Sequence, residues 1–311
     1  MLQYSIRRLL YIIPVLLGVC FIVFLLFNVV ATDPAAQQLG KHATAESIAE
    51  LRKELGLDRS YFAQYLDIVK SAFTFDFGRS WSSHQKISEI IMNKAGASLS
   101  LTLPAFIISM ILGISLSLFV AFYRGRIIDH ATMFVCIAMM SISYLVYIII
   151  FQYMLAYHWS IFEVSGYESG FPNFIPFILL PVLISVITSL GPDIRFFRTL
   201  MLDEIYQDYV RTARAKGLSE KVILFKHVLR NAMVPIITYI VIQLPFLILG
   251  ALLLESFFDI PGLGGELLRA LNSSDFPVVK AFTILTAIAY MVFSLLTDIL
   301  YALADPRIKL Q

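Results

Sequence analysis

Six Lys or Arg side chains fall within the 25 residues of DYVRTARAKGLSEKVILFKHVLRNA, Asp208 to Ala232, a stretch bounded by long apolar runs. Basic charge at this density can hold anionic lipid headgroups, or it can help seat the surface of another protein. The first needs charge alone; the second needs shape. Tyr209–Lys216 reads as one short helix, and Gly217 as the left-handed residue that ends it. Ser219 is placed to cap a second helix whose first turn holds Glu220. In that second helix Val222, Phe225, Val228, Leu229 and Ala232 fall on one side, with Lys226 and Arg230 on the other. Ala213, Ala215 and Gly217 are small enough to let a partner's surface approach closely.

Other chemistry is sparse. There is no G-x-x-x-x-G-K-[ST] phosphate loop, no H-E-x-x-H and no cysteine pair at zinc spacing. His42, His84, His130, His158 and His227 are scattered between the apolar runs, and Cys20 and Cys136 lie inside them as small core hydrophobes. The glycines of PGLGG at 261–265 follow no strand and make no nucleotide fingerprint. Asp298 is the ionisable exception within the apolar runs. An intramembrane carboxylate is a functional candidate by default, and near an interface it also serves as a helix–helix hydrogen-bond partner. The expectation is therefore no catalytic, cofactor-binding or metal-ligating residue on this chain.

The elements that must position the basic stretch are membrane helices. Of 311 residues, 59% are hydrophobic and 15% charged, too little polar surface for a soluble domain. Six runs are long enough to cross about 30 Å of hydrocarbon: Leu9–Ala31, Leu99–Phe122, Ala131–Tyr157, Phe174–Leu190, Val234–Leu254 and Phe282–Leu303, the fourth extendable into Gly191–Arg195. Arg7 and Arg8 precede the first, Arg124 and Arg126 fill the link between the second and third, Arg307 and Lys309 follow the last, and Trp159–Asn173 holds no Lys or Arg. By the positive-inside rule both termini and the 191–233 loop face the cytoplasm.

Three units follow: 1–31, the cytoplasmic amino end and first span; 32–98, an external segment; and 99–311, a five-helix core carrying the basic loop at about 191–233. In the external segment Thr44 can cap a helix through Glu46, Ile48, Leu51 and Leu55 that ends at Gly56. Tyr61–Phe73 is a second amphipathic stretch, and FDFGRSW at 75–81 reads as a turn between aromatics. This segment is either a cap on the outer face or a docking surface for a soluble partner. Pro14, Pro104, Pro181, Pro235 and Pro245 lie inside spans, where bundled helices tolerate them.

TARAKG followed by HVLRNAMVP closely resembles the EAA loop of binding-protein-dependent ABC importers, in the form found in oligopeptide, dipeptide and nickel permeases. SIRRLLYIIPVLLGV, ELGLDRSYFAQYL and FDFGRSW resemble the longer-looped, B-type subunit, as do ESFFDIPGLGG, SSDFPVV and DILYALADPRIK, so the resemblance covers nearly the whole chain. Thr212, Ala213 and Arg214 stand where the general motif has Glu-Ala-Ala, and His227–Arg230 where it has Ile-x-Leu-Pro; both match the peptide-permease variant. The resemblance implies an all-α membrane protein of six transmembrane helices with the type I importer permease fold, in the bacterial cytoplasmic membrane. It implies a pore-forming subunit working with a second homologous permease, two ATPase subunits that hold ATP-Mg, and an external solute-binding protein that delivers peptide. Lipid is its solvent, and no nucleic acid is involved. Carried over to this sequence, the ATPase-coupling contact falls on Tyr209, Ala213, Arg214, Ala215, Gly217 and Glu220. The alternative within the class is the same machine carrying nickel, an opine or an antimicrobial peptide. Outside this class stand an ion-coupled carrier, which the shortage of intramembrane ionisable residues disfavours, and a membrane scaffold docking a soluble partner through 208–232.

Overall fold

A computed structural model of the chain describes residues 2–30, 34–39, 44–54 and 56–304, and of residues 2–9, 30, 34, 37, 38 and 298–304 the backbone alone. The Asp298 side chain therefore lies outside the described residues, as do Arg307 and Lys309. Among the described residues the chain is helical but for turns and one isolated antiparallel bridge, Arg79 to Lys86. Five helices are long and apolar enough to span a membrane, and a sixth span exists if one bent pair counts as one.

The first is α1 (Leu2–Phe24), prolonged by a π-helical turn to Val30. Three short helices follow outside it: α2 (Pro34–Leu39), α3 (Ala45–Glu54) and α4 (Tyr61–Thr74). The second span is α5 (Ile87–Phe122). At 1.5 Å per residue it runs about 54 Å, so the turns before Leu99, with Glu89 and Lys94, extend beyond the hydrocarbon. The third run, expected as one helix over Ala131–Tyr157, is instead α6 (Ile127–Ser141) and α7 (Tyr144–Phe151), which meet at 90° and end in a π-helical turn to His158. Ile142 and Ser143 take extended conformations there, and the Tyr147 hydroxyl donates to the Met139 carbonyl at 3.0 Å. The Ile142 N–H also reaches that carbonyl at 3.4 Å, so the polar group at the break stays paired, as a break inside a membrane requires.

The fourth span, α8 (Ile175–Ile205), continues fifteen residues past the expected end at Leu190 and passes through Pro192 without breaking. After α9 (Asp208–Ala215), α10 (Glu220–Val222) runs through a π-helical turn (Ile223–Val228) into α11 (Leu229–Leu249). The fifth span covers the expected Val234–Leu254 but is not one unbroken helix: α11 ends at Leu249, where Gly250 turns the chain with φ +78°. The short α12 (Leu252–Phe257) and α13 (Leu263–Asn272) then lead into α14 (Phe276–Ala304), the sixth span.

In this bundle α5 packs along α8, and α14 lies against both α11 and α1. Lipid tails are as apolar as leucine, so close van der Waals fit holds such helices together. At the α5–α8 crossing a Cβ on Gly113 would lie 3.1 Å from the Asp193 Cβ and 3.3 Å from the Phe197 ring. Ile111, Phe119, Phe134, Val135 and Ile137 are exposed, as the outer face of a membrane bundle must be.

The short helices between the first two spans are tied to α1 and α14. Thr44 accepts a hydrogen bond from the Ser47 N–H, Ser60 caps α4, and Gly56 turns with φ +67°. Tyr65 of α4 reaches the Leu17 carbonyl, while Lys280, Asn28 and Gln64 form a chain of 2.6 Å hydrogen bonds joining α14, α1 and α4. The FDFGRSW turn is tied down by Asp275, whose carboxylate accepts from the Ser80 and Ser82 hydroxyls and the Trp81 and Ser82 N–H groups. Burial opposes ionisation of Asp275, but these four donors outweigh it and hold its carboxyl below the usual range. A depressed folded pKa stabilises above the unfolded value, and that contribution is lost as pH falls through the folded one. Hydrogen exchange of residues 77–84, corrected for intrinsic rate, is therefore expected to stay protected through mildly acidic pH. It should rise only below the ordinary carboxylate range.

Candidate functional site: the basic loop and the cavity above it

Two features built on the same helices are candidates for function. The basic loop forms where α8 ends at Ile205 and the chain turns into α9. Val210 and Ala213 of α9 are buried in a cluster with Phe197, Met201, Ile205, Ile223, Leu224, Val228 and Ala232. Small size at Ala213 lets α9 sit against that cluster. Gly217 takes φ +76°; its N–H donates to the Arg214 carbonyl at 2.9 Å, and the Leu218 N–H reaches the Ala213 carbonyl at 3.3 Å. This paired closure of the last helical turn requires a left-handed residue. Arg214 then bridges the turn, with Nε 2.7 Å from Glu220 Oε1 and its second nitrogen 3.3 Å from Oε2. Tyr209 donates to Glu204 at 2.5 Å; burial, reinforced by that carboxylate, pushes the phenol up to about 12.

Three details of the loop differ from the sequence reading. Ser219 occupies the cap position, but its hydroxyl makes no capping bond, and its carbonyl accepts the Ile223 N–H instead. The second helix is not a separate short one but the first turns of the fifth span. Its buried face is Ile223, Leu224, Val228 and Ala232, with Val222 and Phe225 exposed, because the π-helical turn adds a residue and rotates the face. The exposed surface therefore combines apolar Tyr206, Leu218, Val222 and Phe225 with Arg211, Lys216, Lys221 and Lys226. Of the carried-over residues, Ala215, Gly217 and Glu220 are exposed, Tyr209 and Arg214 half-buried, and Ala213 buried.

The link between α5 and α6 is fastened to α8 beside this loop. Arg198 donates to Asp129 through Nε at 2.6 Å and a terminal nitrogen at 2.7 Å, and the Gly125 N–H adds a third bond at 2.9 Å. Asp129 is 2% exposed. Arg198→Met would leave its charge buried with one partner, a loss of roughly 3–5 kcal/mol. Thermal unfolding of the detergent-solubilised protein is expected to register this as a clear fall in midpoint.

Further along the same helices lies a cavity of about 530 Å³, within the range of small-molecule sites. Thr102 and Ser109 of α5, Tyr144 and Tyr147 beside the bend, Ser185, Thr188, Ser189 and Asp193 of α8, and Tyr239 and Gln243 of α11 give it polar walls among apolar ones. The 90° break shapes one wall, since Met139, Met140 and Ile142 also line it. Tyr239 donates to Asp193 Oδ1 at 2.6 Å.

At the far end of α5 and α11, Glu255 is 1% exposed. It accepts from the Ser98 hydroxyl at 2.7 Å, the Ala251 N–H at 3.0 Å and the Gly265 N–H at 2.9 Å, while Ser98 accepts the Leu263 N–H at 2.7 Å. A Cβ on Gly250 or Gly262 would overlap this carboxylate, so the glycines of 250 and PGLGG serve close packing. The sequence reading named Asp298 and did not single out Asp129, Asp193, Glu255 or Arg198 as groups engaged inside the bundle.

Comparison with known proteins decides the class. Residues 113–310 match the family described as binding-protein-dependent transport system inner membrane component, and residues 1–102 match its amino-terminal counterpart. The chain belongs to this family. Among its relatives is the dipeptide transport system permease protein DppB of Alkalihalophilus pseudofirmus, 30% identical over 99% of this chain and 100% of that one. The glutathione transport system permease protein GsiC is 32% identical in Salmonella choleraesuis and 31% in Escherichia coli (strain K12), over 99% of both chains in each case. The chain is thus a multi-pass membrane permease subunit, all-helical, as its resemblance implied.

Proposed function

We propose that this permease is one half of the path of an ATP-driven importer of di- or oligopeptides. The observation that carries this is mechanical: α8 is a single helix from Asp193 in the cavity wall to Ile205, where the basic loop begins. Anything that moves α9 moves that wall. In this reading the termini and the 191–233 loop are cytoplasmic, and 32–98 faces outward as a cap. The cell is bacterial and the membrane its cytoplasmic one. A second homologous permease supplies the other half of the path, and two ATPase subunits holding ATP-Mg seat the loop through Tyr206, Ala215, Gly217, Leu218 and the basic residues around them. Tyr209, Ala213 and Arg214 act from beneath, and the exposed Glu220 fixes the loop's shape through its pairing with Arg214. ATP-driven closure of the ATPase pair displaces α9, α8 tilts, and the cavity opens outward to a solute-binding protein; hydrolysis resets it.

Peptide is favoured as cargo by the relatives, which carry dipeptides and glutathione, and by the walls themselves. The cavity lining offers hydroxyls, an amide and one carboxylate, suited to a small polar solute and a poor donor set for a bare divalent ion. Membrane vesicles supplied with the cognate binding protein test the reading. Radiolabelled trialanine is expected to accumulate only when ATP reaches the ATPase face. Accumulation driven by an ion gradient without ATP would make the chain part of a carrier, and no vectorial movement of any peptide would leave only a scaffold.

A further inference from the structure

Four buried carboxylates are described in this chain, and in three of them both oxygens accept hydrogen bonds. Asp129 accepts three hydrogen bonds, two of them from Arg198; Glu255 accepts three; Asp275 accepts four. Asp193 is the exception. It is 2% exposed, Tyr239 is the one donor to Oδ1, and no protein donor reaches Oδ2. An ionised carboxylate offers about four acceptor positions, and leaving them unused away from water is costly. The cationic side chains nearest in sequence do not relieve it: Arg195 is exposed on the same helix, and Arg198 is taken by Asp129.

Asp193 also lines the cavity, as the sole charged side chain in its wall. What would complete it is therefore a cation small enough to enter, bearing several N–H donors. Around it stand Ser109, Ser189, Thr188 and Gln243, which pair with amide groups, and Phe106 and Phe246, which accept apolar side chains. A metal ion would want more than one such ligand.

We propose that Asp193 receives the ammonium group of a peptide's amino terminus as the peptide passes, making this wall selective for unblocked peptides. The proposal rests on the peptide-importer reading and names the chemistry of its path. The Tyr239 hydroxyl holds the carboxylate through Oδ1, while Oδ2 is unpartnered but shielded in this conformation, so a small rotation of the side chain must bring it to the incoming cation. No covalent step is involved; the contact forms and breaks with each transport cycle.

The test compares trialanine with propionyl-Ala-Ala, the same molecule lacking only the amino group, in the vesicles described above at saturating peptide and binding protein. Asp193→Asn keeps the acceptor for Tyr239 but removes the charge. It is expected to slow trialanine uptake roughly tenfold or more, the scale of losing a hydrogen bond to a charged group. Asp193→Glu should recover a substantial part of that rate, and uptake of the analogue should change by less than about twofold in either variant. Trialanine uptake within about twofold of wild type in the Asn variant overturns the proposal, as does a parallel fall for both peptides. If wild-type vesicles move neither peptide, the importer reading fails first and takes the proposal with it.

Should the Asn variant not reach the membrane, or the binding protein not admit the analogue, the wild-type complex still decides. Dicyclohexylcarbodiimide labelling of Asp193, read by mass spectrometry, is expected to fall about tenfold with millimolar trialanine and to be unchanged by the analogue. Equal labelling under both conditions overturns the proposal.

Discussion

Glu255→Leu is expected to deplete the folded chain from the membrane. The substitution removes the acceptor for the Ser98 hydroxyl and the Ala251 and Gly265 N–H groups, all of which converge on a carboxylate only 1% exposed. Each buried donor left unpaired costs about 1–3 kcal/mol. Three together amount to a large share of the roughly 5–15 kcal/mol that holds a typical protein folded. The surroundings cannot collapse to compensate, because a Cβ on Gly264 would already lie 2.6 Å from the Leu252 nitrogen and 2.7 Å from its Cα. Glu255→Gln keeps one acceptor oxygen and should lie between the two. Immunoblots of membrane fractions and thermal unfolding of the purified protein read the effect. Unchanged levels with an unchanged midpoint for the leucine variant would mean that the turn from α11 into α13 does not depend on this node.

Gly217→Val is expected to abolish coupled uptake while the chain stays inserted. Nothing lies within 4 Å of where a Cβ would stand, so no clash is involved and the effect comes from the backbone alone. An L-residue at φ +76° costs roughly 1–2 kcal/mol, and a β-branched one more. The turn gives way most easily by loosening the Gly217 and Leu218 hydrogen bonds and the Arg214–Glu220 bridge that spans them. The exposed bridge adds little strength of its own, so the glycine sets the loop's shape. Gly217→Asn, which tolerates the left-handed region, should keep most of the activity. ATP-dependent trialanine uptake at matched protein levels measures both. Normal transport by the valine variant would show that the docking surface does not need this turn.

Local signals made part of this molecule legible in its sequence. The cap at Thr44, the helix over 61–73 and the left-handed Gly217 depend on neighbouring residues, and the structure places them as read; the apolar runs are all helical, though not with the expected bounds. The 90° bend left no such trace. MMSISYLV contains neither proline nor glycine, its hydropathy is continuous, and the bond that supports the break joins Tyr147 to Met139 only after it forms. The rotated face of residues 222–232 escaped because helical spacing assumes 3.6 residues per turn, and the π-helical turn at Ile223–Val228 does not keep it. The buried carboxylates were hidden by distance. Asp193 meets Tyr239 46 residues away, Asp129 meets Arg198 69 away, and Glu255 meets Ser98 157 away. Two signals were nonetheless present: Asp193 and Arg198 follow directly on the fourth apolar run, and Glu255 lies among four glycines at 250, 262, 264 and 265.

The central claim is that the exposed loop at 206–226 seats an ATPase. A photo-crosslinking amino acid at Ala215, which is exposed and makes no side-chain bond, tests it in native membranes, with Phe134 on the exposed face of α6 as the control position. Mass spectrometry of the adducts is expected to find an ATP-binding subunit joined at 215 and none at 134. Adducts at 215 with lipid alone, or the same partners at both positions, would contradict the account and return the basic stretch to a simple electrostatic contact with the membrane.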